Sequence, residues 1–232
     1  MQFNTLSRHP VISAVVSAAV SLPMIFALYF MLEPAVVTGQ AGTGPHVFTV
    51  SQEITGELSF SVAPDDVTLL PSIQGLTGGT GSGTVTFGIN TNDPDGYRVT
   101  IEFDDAASDV MQQVNGTGTI PNYGGSVTED FEEEVGDNQA AFAFTVEGPR
   151  AATTFRRSGT SCNESEGTAD ATTCWWLGNT SGGTDIVNGS GTANDEQHTL
   201  HFRVHVNENP SPALEEGFYR ATATITAIPG TS

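Results

Sequence analysis

The histidines are the first place to look for chemistry in this chain. His198-x-x-His201-x-x-x-His205 has metal-ligand character by residue type, but the residues between alternate apolar and polar, the period of a strand. On a strand, His201 and His205 share a face about 13 Å apart, and His198 points to the other side. Three imidazoles so placed do not close on one ion, and the trio His201, Arg203 and His205 reads as an outward, solvated or edge face. Asn92-Asp93-Pro94-Asp95-Gly96 invites a calcium test. With Gly96 at the sixth position of an EF-hand loop, Asp93 and Asp95 take ligand positions and Glu102 the twelfth. Thr91 then stands first, Pro94 intrudes, and Tyr97–Phe103 reads as strand. Asp93, Asp95 and Glu102 remain a calcium candidate, and a hairpin turn built on Pro-Asp-Gly is the better account.

Catalytic templates otherwise fail. There is no Gly-x-Ser-x-Gly elbow, and a serine without a placed base does not make a nucleophile. The chain contains no lysine, which removes P-loop, Schiff-base and pyridoxal chemistry and lysine–asparagine isopeptide cross-links. The carboxylate run Glu129–Asp137 reads as a solvated loop, and a hydrolase working through loop carboxylates would need a spacing that sequence does not give. No catalytic residue, no cofactor and no resident metal are expected, and the chain is expected not to be an enzyme.

Two cysteines, Cys162 and Cys174, precede Trp175 and Trp176. In an oxidising compartment the pair would form a disulfide worth on the order of 3 kcal/mol. Two thiols at this spacing supply too few ligands for a tetrahedral metal site. Tandem tryptophans serve either to stack on sugar or anchor a partner, or to fill a core; packing is expected for one, and the other stays open. Arg150, Arg156 and Arg157 fall in the same stretch, three of the seven basic residues counted as Lys plus Arg. They form a basic spot that could meet the Glu129–Asp137 run within the subunit, at little gain if exposed. Trp175, Trp176, Arg156 and Arg157 are thus the candidate ligand or partner contacts.

Aspartate and glutamate number 27 and the formal net charge is −20. Phosphate backbones need cationic neutralisation, so no nucleic acid is expected as a partner, nor an anionic membrane surface. An acidic exterior instead keeps an exported protein soluble by self-repulsion.

The elements that must position these residues are strands. Apolar faces recur every second residue at Phe48 and Val50; Leu58, Phe60 and Val62; Val67 and Leu69; Val85, Phe87 and Ile89; and Tyr97, Val99, Ile101 and Phe103. They continue at Phe142, Phe144 and Val146; Leu200 to Val206; and Tyr219 to Ile225. About eight strands between Gly/Pro/Asn/Asp turns predict an all-β fold, an antiparallel β-sandwich of Ig-like or jelly-roll type. Two stretches break the rhythm, residues 104–137 and 148–196, and read as long insertions without regular strand. Asn-x-Ser/Thr sequons begin at Asn115, Asn163, Asn179 and Asn188, all outside the expected strands.

Residues 1–41 carry the leader. Val11–Leu32 is an uncharged run of 22 residues behind Arg8, long enough to cross about 30 Å of hydrocarbon as a helix. Gly39-Gln40-Ala41, after Pro34, offers a small-x-small cleavage site. Signal peptide and membrane anchor both stay open, and residues 42–232 are expected outside the cytoplasm as one β-sandwich domain.

The order FTVSQEITGELSFSV…DVTLLPSIQGLTGGT (Phe48–Thr80), TNDPDGYRVTI, AFAFTVEG (Ala141–Gly148), CNESEGTADATTCWW and LHFRVHVNENPSPALEEGFYRATATITA (Leu200–Ala227) resembles a family of uncharacterised exported β-sandwich proteins of candidate-phyla bacteria. The closing Asn-Pro-x-Pro, Gly-Phe-Tyr and alternating Ala/Thr strand also looks like the last hairpin of secreted sandwiches of the coat-protein-U and fimbrial types. The resemblance implies an exported sandwich and no chemistry. The expectation is a cell-surface or extracellular structural protein, a filament or coat subunit that self-assembles or meets a cell-surface partner, with Gly39–His46 able to lend a strand to a neighbour's sheet edge. The alternatives are a module gripping glycan or a surface partner through Trp175 and Trp176, and, more remotely, a secreted hydrolase.

Overall fold

The computed structural model describes residues 49–104, 109–124, 126–127, 131–176 and 182–230; the leader, Phe48, Gly39–His46 and Asn179 lie outside them. Where an apolar face recurs every second residue over five positions or more the chain is extended and paired, except that the expected strand Tyr219–Ile225 breaks at Ala221–Thr222 into two strands of different sheets. β1 (Leu58–Val62), β2 (Gly79–Thr91), β6 (Ala140–Glu147) and β10 (Ala193–Val206) make one antiparallel sheet in the order β1-β2-β10-β6. β3 (Tyr97–Phe103), β9 (Thr184–Gly189) and β12 (Ala223–Pro229) make a second, in the order β12-β3-β9. The protein is all-β, two antiparallel sheets stacked as a sandwich.

Register explains the core. Leu200 lies between Val85 and Val146, Phe202 between Gly83 and Phe144, and Val204 between Gly81 and Phe142. Across the layers, Phe103 meets Phe142 at 6.0 Å and Phe144 at 5.8 Å between ring centroids. Each such buried side chain contributes about 1.5–3 kcal/mol. β2 and β10, of 13 and 14 residues, are twice as long as the seven-residue β3. Val67, Leu69 and Ile73 pack on the core beside the far half of β2. Gly83 makes this possible, since a Cβ there would lie 2.7 Å from Val67 Cγ2.

Several expectations need correction. Residues 148–196 do hold a regular strand: β9 hydrogen-bonds to β3, and its Ile186 and Val187 are both fully buried. A register shift opposite Val99 and Thr100 sends two consecutive residues inward, so the period of two that marks a strand is lost at that point. This stretch also forms β7 (Arg157–Ser158) and β8 (Ser161–Cys162), and β10 begins at Ala193. Residues 104–137 form β4 (Met111–Gln113), β5 (Thr119–Ile120) and the single turn α1 (Phe131–Glu134); β4 lies between β5 and β11 (Tyr219–Arg220). Val67 and Leu69 are core contacts outside any strand, and Val50 is exposed. The Asn92–Gly96 turn is present, closed by Gly96 N–H donating to Asp93 O at 3.1 Å. It joins strands of different sheets, so it is a crossover turn and not a hairpin. β10 and β12 are likewise split between the sheets.

One lateral side of the sandwich is capped and the other open. Beside β6, Asn122 and Trp176 bridge to Phe142 and Phe144; beside β9, Ala151 bridges to Val187. On the opposite side, β1 lies against β12, and among the described residues no strand or bridge pairs with the outer edge of either.

Candidate functional site

A cluster of interacting titratable side chains lies where β2 turns over to β3, between the sheets. His198, on the inner face of β10 as its position in the alternation requires, is buried. Its ring stacks on Phe87 at 5.1 Å, and its Nε2 is 3.0 Å from the Tyr97 hydroxyl of the facing sheet. Tyr97 Oη donates to Glu196 Oε1 at 2.6 Å, and Glu196 Oε2 is 3.4 Å from Arg150 Nε. Arg150 is held by the carbonyls of Gly191 and Thr192, 3.1 Å each, with its Cζ 5.7 Å from the Tyr97 ring centroid. Burial, helped by the Arg150 charge, pushes His198 down to about 4, so it is a neutral imidazole in neutral solution. Burial and the hydrogen bond to Glu196 hold the Tyr97 hydroxyl far above its ordinary range. A neutral imidazole and a phenol that keeps its proton form a clamp between two sheets. Neither group titrates near neutrality, where general acid–base catalysis is most effective.

The outer face of β10 is not the solvated or edge face expected of it. β10 is internal to its sheet, and residues 121–124, 131–135 and 173–176 lay a third layer over β6 and β10. Ala141 and Ala143 are small enough on the outer face of β6 to seat Trp175, which joins Tyr123, Phe131 and Val135 in a second apolar cluster. Phe131 and Trp175 lie 5.7 Å apart. Arg203 Cζ stands 4.3 Å over the Trp175 ring and its Nη1 donates to Glu132 Oε1 at 2.9 Å. His205 Nδ1 shares a 2.8 Å hydrogen bond with Thr80 Oγ1, and His201 pairs with Glu147 at 3.1 Å. Through Glu132 the acidic run thus meets an arginine of its own subunit, Arg203.

Arg150, Arg156 and Arg157 each have a partner close by. Arg150 joins Glu196, Arg156 Nη1 donates to Ser165 O at 3.1 Å, and Arg157 lies 3.7 Å from Asp170. Cys162 and Cys174 form the expected disulfide with Cα atoms 5.5 Å apart, inside the normal range. The bridge fixes the segment that delivers both tryptophans. Trp175 is the packed one, donating its Nε1–H to Thr172 O at 2.9 Å. Being buried, it offers no ring to a ligand, which leaves Trp176, half-buried and hydrogen-bonded through its backbone to Phe144. Asp93 Oδ1 accepts from Asp95 N–H at 2.9 Å inside the turn, while Glu102 sits on β3 opposite Thr224. Among the described residues no group of three or more His, Cys, Asp or Glu side chains is disposed to hold a metal ion. Asn188 lies in β9 and not in a loop.

At the other pole of the sandwich, a cleft of about 320 Å³ is lined by Pro121, Tyr123, Glu134, Gln139, Pro212 and Leu214. Tyr123 Oη donates to Glu134 Oε2 at 2.6 Å on its wall. Sequence reasoning missed Tyr97 and Glu196 as partners of His198. The available signal was the polar pair Glu196 and His198 at successive inward positions of a strand whose other inward residues are apolar.

No protein-family model matches this chain, and no curated protein matches it.

Proposed function

We propose that this chain is an exported structural protein of the cell surface or extracellular space, a filament or coat subunit that joins its neighbours along the β1/β12 side. The observation that carries this reading is the inequality of the two lateral sides: insertions cap β6 and β9, while β1 and β12 present unpaired outer edges among the described residues. An unpaired edge is a template for a strand from another chain, which contributes main-chain hydrogen bonds independent of side-chain charge. Gly39–His46, free of Asp, Glu, Lys and Arg and holding three glycines and one threonine, is the candidate donor. The disulfide fits an oxidising compartment outside the cytoplasm. A net charge of −20 keeps free subunits apart at low salt and lets assembly proceed once salt screens it.

The test is light scattering and electron microscopy of the exported chain across salt concentrations, with a Thr43→Cys/Ser59→Cys variant oxidised and run on non-reducing gels. Salt-promoted polymers and a ladder of cross-linked copies are expected. Monomers at every salt concentration, with no ladder, would overturn the reading.

A further inference from the structure

The two poles of the sandwich differ in what they expose. The chain enters and leaves at the pole of the Asn92–Gly96 turn: Leu58 pairs with Thr91, Pro229 with Tyr97, and Gly230 N–H donates to Gly96 O at 2.9 Å. The opposite pole is built by four connections, residues 63–78, 113–118, 134–139 and 207–218, tied to one another. Asn209 N–H donates to Leu76 O at 2.9 Å and Val114 N–H to Phe218 O at 2.8 Å. Ser211 N–H donates to Asn138 O at 2.7 Å. Here stand Phe218, 86% exposed, Leu76, 72% exposed, and Val114, 46% exposed. The cleft with Pro212 and Leu214 on its wall belongs to the same pole. An exposed phenylalanine and leucine carried on hydrogen-bonded connections cost solvation free energy that folding alone gives no reason to spend.

The charge on the four connections is of one sign, and Arg220, on β11 two residues after Phe218, is the nearby cation in the sequence. These four connections carry Asp65, Asp66, Glu134, Asp137, Glu208, Glu215 and Glu216 and contain no Arg, Lys or His. All seven carboxyl side chains belong to exposed residues. A second copy of this chain is a poor occupant, because it would bring an equally acidic pole. A glycan would leave the carboxylates unmatched.

We infer that this pole is a docking surface for a basic polypeptide segment of another protein, whose apolar side chains cover Phe218, Leu76 and the cleft while its lysines or arginines meet the acidic rim. Apolar anchors at the centre with charges around them are how such surfaces divide the work, the anchors holding and the rim steering and selecting. The pole lies opposite the end of the sandwich where Leu58 pairs with Thr91 and Pro229 with Tyr97.

The test uses the full exported chain and two fluorescein-labelled probes, a peptide of repeating Lys-Leu-Lys-Phe and one of repeating Lys-Ser-Lys-Ser, read by anisotropy. The first should bind at least about tenfold tighter than the second, and both should weaken as salt rises. Phe218→Ser/Leu76→Ser, checked for folding by circular dichroism, should erase the preference between probes. Glu215→Gln/Glu216→Gln should weaken both more than Glu57→Gln/Asp95→Asn at the other pole does. Equal binding of the two probes, a preference that survives the Phe218/Leu76 variant, equal effects of the two charge pairs, or no binding at low salt would each overturn the proposal.

Discussion

Acidification singles out the His198 clamp. His198 is neutral in the folded protein down to about 4, against an ordinary value of 6.5 in the unfolded chain. Between those values the unfolded chain binds the extra proton and the folded one does not, so stability falls as pH falls and is fully present only above about 6.5. The gap is worth on the order of 3 kcal/mol in all, of which about 2 kcal/mol is lost between pH 7 and pH 5. The groups facing the ring are Tyr97, which stays protonated throughout, Glu196 at 3.6 Å and Arg150, whose fixed positive charge opposes a second one on His198. Urea unfolding followed by tryptophan fluorescence at pH 7, 6 and 5 measures the loss, and His198→Gln isolates it. The variant should be less stable than the parent at pH 7 by about 1 kcal/mol, for the lost hydrogen bond and ring stack. At pH 5 it should match or exceed the parent, because its unfolded form gains nothing from the proton. A stability difference that stays constant from pH 7 to pH 5 would refute the reasoning, as it would place the imidazole within reach of solvent.

Other perturbations test the layers separately. Trp175→Ala should cost about 3–5 kcal/mol in urea unfolding, because Ala141 and Ala143 leave nothing to close the hole; a cost under ~1 kcal/mol would mean that the third layer is not packed. Gly83→Val should lower stability by at least about 1–3 kcal/mol, since its first carbon already lies 3.0 Å from Thr68 O, and a melting temperature equal to the parent's would contradict the described register. Cys162→Ser/Cys174→Ser should lose about 3 kcal/mol, read as a fall in thermal midpoint that matches the effect of reductant on the parent.

The sequence by itself determined those features that depend on neighbours along the chain. Alternation placed Phe87, Val99, Phe144 and Leu200 inside and set His198 against His201 and His205, because a strand turns its side chains over at every residue. The twelve-residue separation of the cysteines made their pairing legible, as did Pro-Asp-Gly the turn before Tyr97. What the tertiary structure decided depends on residues far apart in the chain. Tyr97 and Glu196 stand 99 residues apart and meet only because β3 and β10 lie in facing sheets. The outward face of His201, Arg203 and His205 read as solvated because a period of two distinguishes one side from the other without saying what covers either. Trp175, Phe131 and Glu132 arrive there from insertions with no period at all. β9 escaped for a related reason, its two buried residues being consecutive where the strand shifts register. That β1 and β12 have no strand on their outer edges among the described residues is likewise a property of sheet order, fixed by which distant strands pair and by no local pattern.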